Sequence, residues 1–169
     1  VKFQASGKQI KNSPYDAFWD YEFTNTYENG VQMIGTTEGP RGLKFEGSDG
    51  WLFVAIHGGA LSASNPDILP PKIRAGGNVG INDPIPDDFQ VRLGRSPGHH
   101  RNFIDSVLSR KPSMATAEIG HRTATICHLN NMAMKLGRPI HWNPQREAIV
   151  DDREAGELLI PPMRAPWTV

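Results

Sequence analysis

One cysteine, Cys127, in 169 residues excludes an internal disulfide framework. No stretch approaches the roughly 20 apolar residues of a membrane span, and no basic segment followed by an apolar one marks a signal peptide. Charge of one sign is missing too: 18 acids face 18 bases, so no global field draws the chain to nucleic acid or an acidic bilayer. The G-x-S-x-G turn of serine hydrolases and the H-E-x-x-H helix of zinc proteases are both absent. So is an initial Met: the chain opens at Val1 on residues that already read as strand. It is therefore expected to be a fragment or a processed chain, and its compartment stays open between cytoplasmic and exported.

What is present describes a soluble globular domain with long connections: 38% apolar residues, 17 glycines and 14 prolines. A single domain over 1–169 is expected, in three stretches: antiparallel strands in 1–57, an irregular connection in 58–98, and helices with a tail in 99–169. Val1, Phe3 and Ala5 alternate weakly with polar neighbours, as in an edge strand. Trp19, Tyr21 and Phe23 alternate cleanly with Asp20, Glu22 and Thr24, the period of a half-buried strand. Asn29-Gly30 is a hairpin signal because both residues tolerate positive φ, and Val31–Thr36 returns as the partner strand. Leu43 and Phe45 oppose Lys44 and Glu46, Gly47–Gly50 turns the chain, and Trp51–Ile56 is apolar on both faces, as in a covered central strand. The Gly76-Gly77-Asn78-Val79-Gly80 cluster lacks the flanking strand, helix and Lys-Ser/Thr pair of a phosphate loop, so turn glycines are the reading.

Two helices dominate the C-terminal stretch. The first runs from about Gly98 to Arg110, with Phe103, Ile104, Val107 and Leu108 as its apolar stripe and Pro112 beyond its end. The second starts at Thr116 as N-cap and ends at Gly137 in the left-handed C′ position, before Pro139. Its buried face is expected to combine Ala117, Ala124, Ile126, Cys127, Leu129, Met132, Ala133 and Leu136. Ile140–Trp142 reads as a short strand, Asn143-Pro144 as a turn, and Asp151 with Glu154 as the start of a last short helix. The tail with Arg164 and Trp167 is too aromatic to hang free and is expected to pack on the domain or anchor an interface.

Six histidines invite a metal site. His121 and His128 share a helix face and with His99 or His100 could form a three-imidazole zinc site, but structural sites favour tighter pair spacing and no acidic residue alternates with the histidines as in H-E-x-x-H. No metal is expected. Cys127 has no base on its own helix face and reads as a buried structural thiol. Asp87-Asp88 and Asp151-Asp152 read as solvated or capping carboxylates. Weak candidates for substrate contact are His99, His100 and Arg101, where free N–H groups at a helix start could meet an oxygen-rich ligand. The plainer reading, capping and packing, weighs more.

Several ordered motifs resemble one family. They are His99-x-x-Asn102-Phe103-Ile104-Asp105, Ser109-Arg110-Lys111-Pro112, Glu118-Ile119-Gly120-His121-Arg122 and Cys127-His128-Leu129 through Arg138. Trp142-x-Pro144, Asp152-x-Glu154-Ala155 and Arg164-Ala165-Pro166-Trp167 follow in order. Together they are similar to the C-terminal domain of bacterial-type Gfo/Idh/MocA oxidoreductases. Tyr27–Val31 and Phe45–Trp51 fit the same domain. The resemblance implies an α+β fold: an open, mainly antiparallel sheet with helices packed on one face. It also implies that NAD or NADP, the Rossmann domain binding it and the catalytic lysine and histidine belong to an upstream partner domain missing from these residues. No catalytic residue is carried over, and no cofactor is expected in this chain.

The resulting expectation is a substrate-shaping and oligomerisation domain of an NAD(P)-dependent oxidoreductase acting on a small sugar-like substrate, a sugar or polyol. Alone it would be incompetent in catalysis, and it would form a homo-oligomer through its sheet. The alternative is a stand-alone binding or assembly module without activity. A metal-dependent enzyme built on the histidines is the third reading.

Overall fold

A computed structural model describes residues 1–56, 60–75, 96, 98–160 and 162–167. In chain order the strands are β1 (Lys2–Gln9), β2 (Phe18–Thr26), β3 (Gln32–Thr36), β4 (Gly42–Gly47), β5 (Gly50–Ala55) and β6 (Leu61–Ala63). A 3-10 turn at Pro66–Ile68 and the single-turn helix α1 (Pro71–Arg74) follow. Then come α2 (His99–Ser109), α3 (Ala117–Leu136), β7 (Ile140–Asn143), β8 (Ala148–Ile149) and α4 (Arg153–Glu157). The fold is α+β, and every strand pair among the described residues is antiparallel. Where the sequence reading changes stretches at 57 and 99, the contacts divide the chain into two compact units, 1–37 with 96–169, and 38–95.

The first unit is a five-stranded sheet, ordered β3-β2-β1-β7-β8, with α3 on one face. Cross-strand partners share a face, so Phe3 with Asn25, Ala5 with Phe23 and Gly7 with Tyr21 form the side toward α3. A Cβ built at Gly7 would lie 2.8 Å from Met134 Sδ of that helix. The core is Phe3, Leu129, Met132, Ala133, Ile140, Trp142 and Ala155, flanked by Val1, Ala5, Ile126, Leu136 and Ile149. Each fully buried large side chain here contributes about 1.5–3 kcal/mol. The opposite face carries Gln4, Ser6, Glu22, Thr24, Ile34 and Thr36.

Several expectations need correction. β1 is central, because β7, some 140 residues away, pairs with its first residues at Phe3↔Ile140; local alternation carries no trace of so distant a neighbour. The aromatic face of β2 is only partly covered, with Tyr21 36% exposed, and Trp19 drops out of the alternation at a register shift that pairs Phe18 with Gln9. Asn25, on that same face, is fully buried without a side-chain partner. Along α3, residues advance about 100° each. Leu129, Met132, Ala133 and Leu136 therefore form one stripe, while Ala117, Ala124 and Cys127 fall roughly opposite it. Cys127 is exposed. The periodic stripe of α2 is likewise exposed, from 45% at Val107 to 76% at Leu108.

The ends of α3 and of the β2–β3 turn fall where the capping and turn residues predict. Thr116 caps α3 by accepting the Ile119 N–H (3.3 Å), and Gly137 ends it at φ 63°. The Asn29-Gly30 turn closes on Tyr27 N–H to Val31 O at 2.9 Å, with Gly30 at φ 84°. The cap of α4 is Asp152 rather than Asp151. Asp151 is left-handed (φ 53°), whereas an N-cap needs extended backbone, as at Asp152 (φ −142°).

The second unit is a three-stranded sheet, β4-β5-β6, so the strand meander is split between two sheets. β5 is central in it as expected, but all six of its residues are only half-buried. No described residue of this unit is buried. Part of the supposedly irregular 58–98 stretch is ordered here, as β6, the 3-10 turn and α1. The Gly76–Gly80 cluster and Asp87-Asp88 lie outside the described residues.

Candidate functional site

The residues singled out for ligand contact sit in the first turn of α2. His99, His100 and Arg101 are all exposed, behind Gly98, which offers no side-chain cap. Arg101 is engaged: its Nε donates to Asp105 Oδ2 at 3.1 Å and its Nη2 lies 2.9 Å from Oδ1, the next turn along. This leaves the two imidazoles as the accessible polar groups. Arg164 and Trp167 stand in a separate turn, where the Trp167 N–H donates to Arg164 O (3.0 Å). Trp167 is 65% exposed, so the tail does not pack down on the domain.

A larger polar cluster forms where α3 meets the β7–β8 turn. Arg122 Nε donates to Glu118 Oε1 (2.7 Å) and Nη1 to the Pro144 carbonyl (3.0 Å). Glu147 Oε1 lies 3.1 Å from both Arg122 Nη1 and His121 Nε2. The hydrogen bond it donates to Glu118 holds the Arg122 guanidinium above its ordinary pKa. Nothing in the sequence marks Glu147 as the partner; the turn geometry, with Glu147 at φ 49°, brings it there.

A third cluster joins the end of α3 to the start of α4. Arg138 Nη1 lies 2.8 Å from Asp152 Oδ2, off the angle of a good hydrogen bond, and Nη2 donates to Asp152 Oδ1 (3.1 Å) and to Glu154. The same Asp152 Oδ1 accepts the Ala155 N–H (3.0 Å). One carboxylate thus caps a helix and receives a guanidinium.

Across the open face of the five-stranded sheet runs a groove of about 500 Å³. Gln4, Ser6, Glu22 and Thr24 floor it, with Ile34 at one end and Gly137–Pro139 at the other. Chemically these places can bind and position. Among the described residues no three His, Cys, Asp or Glu side chains gather as for a metal, and no helix is long and apolar enough to cross a membrane. His121 and His128, paired in the sequence reading, do not meet a common third ligand.

The motif residues, placed in space, are largely scaffold. Asn102 Oδ1 accepts the Met114 N–H (3.0 Å) and ties down the loop before α3. Trp142 and Ala155 are core, and Pro144, Arg138, Asp152 and Glu154 make the contacts above. Residues 80–169 match the model of an oxidoreductase family, its C-terminal alpha/beta domain, of the Gfo/Idh/MocA type. The chain belongs to the Gfo/Idh/MocA oxidoreductase family. The Gfo/Idh/MocA match spans α2, α3, β7, β8 and α4, which are all in the first unit. No characterised protein and no solved structure matches the chain significantly.

A dinucleotide cradle needs a strand of a parallel sheet leading through a glycine-rich turn to a helix N-terminus. Among the described residues all strand pairs are antiparallel, and none of these strands enters a helix in that way.

Proposed function

We propose that this chain is the substrate-shaping and oligomerisation domain of an NAD(P)-dependent oxidoreductase acting on a sugar or polyol, and that hydride chemistry requires a separate cofactor domain. The observation that supports this reading is the use made of the described family-matching residues: Asn102, Arg138, Trp142, Asp152 and Ala155 pack, cap and tie loops. His99 and His100 are the exposed imidazoles of the matched region's first helix. In this reading they border the substrate, where imidazole nitrogens hydrogen-bond to hydroxyl groups. The five-stranded sheet supplies the assembly surface.

Titration with NADH followed by fluorescence tests the division of labour. The 169-residue chain is expected to give no binding, whereas the product of the longer coding sequence binds. Nicotinamide binding by the short chain, or none by the long one, overturns the proposal. In the long form, His99→Ala with His100→Ala is expected to raise KM for the sugar while leaving the nicotinamide Kd unchanged.

A further inference from the structure

Sheet edges are ready-made templates for another strand, and proteins blunt them with charges, prolines, bulges or short strands. Four edges occur among the described residues. β8 has two residues and β6 three, which is too short to recruit a partner. β4 carries Lys44 and Glu46. β3, Gln-Met-Ile-Gly-Thr, has none of these guards: five residues, no charge, no proline, and no register shift against β2.

The backbone phase of β3 follows from its flanking bonds. Tyr27 N–H donates to Val31 O (2.9 Å), and Thr37 N–H to Tyr21 O (3.1 Å). Hydrogen-bonded pairs alternate along an antiparallel ladder, so Met33 and Gly35 turn their backbone groups toward β2. Those of Ile34 and Gln32 turn outward. Ile34 is 67% exposed and Met33 42%. At Gly35 a Cβ would collide with the Phe23 ring, so that ring lies across the position a side chain would fill.

We infer that β3 pairs antiparallel with β3 of a second copy about a two-fold axis at Ile34, joining two five-stranded sheets edge to edge. This rests on the oligomerisation reading above and specifies its surface. The sequence is complementary to itself in that register. Ile34 meets the partner's Ile34 and exchanges both N–H···O bonds with it, which buries two exposed apolar side chains. Met33 comes opposite the partner's Gly35, where its thioether reaches the Phe23 ring. Gln32 lies opposite the partner's Thr36. No like charges face one another, so a second copy suits this edge better than a charged peptide does.

A residue that faces its own copy permits a decisive test. Sedimentation velocity of the wild-type chain is expected to show a dimer, and Ile34→Lys and Ile34→Glu are each expected to lose it through like charges directly opposed. An equimolar mixture of the two variants regains a dimer, because the charges are now opposite. Circular dichroism checks that both variants stay folded. A dimer that survives in the single variants, or that fails to return in the mixture, overturns edge pairing while leaving oligomerisation standing. A wild-type monomer at all concentrations overturns both.

Discussion

Asp152 is the residue with most to lose. Its carboxylate caps α4 and receives Arg138 from the end of α3. Asp152→Ala is expected to destabilise the protein by about 1–2 kcal/mol, which lowers Tm by about 2–8 °C. Asp152→Asn keeps a cap acceptor and loses only the charge, so its drop in thermal melts should be smaller. Asp20 gives a pH signature. Lys8 Nζ (2.8 Å) and then the Thr37 hydroxyl (3.1 Å) hold its carboxyl below the ordinary 3.8. A depressed acid contributes stability that is complete above the unfolded value and is lost as pH falls through the folded one. Melting the wild type and Asp20→Asn from about pH 6 to about pH 2 should show acid destabilisation beginning below 3.8, with a weaker decline in the variant. At this scale the sequence was least legible. An N-cap one residue from its expected place and a Glu147 bridging His121 and Arg122 both depend on backbone angles that residue types do not announce.

Elements were legible where punctuation is chemical. Thr116, Gly137 and Pro139 bound α3 because a hydroxyl, a missing Cβ and a missing N–H act locally. Which face is buried is another matter, since periodicity identifies a stripe but not what covers it. Two leucines on comparable stripes make the contrast measurable. Leu129 is 1% exposed and Leu108 76%. Urea unfolding of Leu129→Ala should lose about 2–5 kcal/mol, and Leu108→Ala less than about 0.5 kcal/mol. Similar losses at both would mean that α2 is covered in solution. The central position of β1 was illegible for a related reason: a strand's second neighbour can come from anywhere in the chain.

At the scale of the molecule the resemblance carried the most. Ordered motifs after residue 99 identified a family whose matched span begins at residue 80, while the division into two units had no sequence marker. The units differ in kind. Every buried residue among those described belongs to the first, and β5 of the second is half-buried throughout. Amides with few buried apolar neighbours open at lower free energy. In hydrogen exchange followed by mass spectrometry, β4 and β5 should therefore label well before β1 and α3. Equal protection would indicate that the three-stranded sheet is covered by a partner in solution.

The pairing of Phe3 with Ile140 also sets an order of events during synthesis. At about 5–20 residues per second, the ribosome needs several seconds or more after making β1 to deliver the strand and helix that complete its core. Through that interval the nascent β1–β2–β3 meander has Phe3 and Phe23 without the cover of α3 and β7. That exposed interval ends only when β7 and α3 are made and cover Phe3.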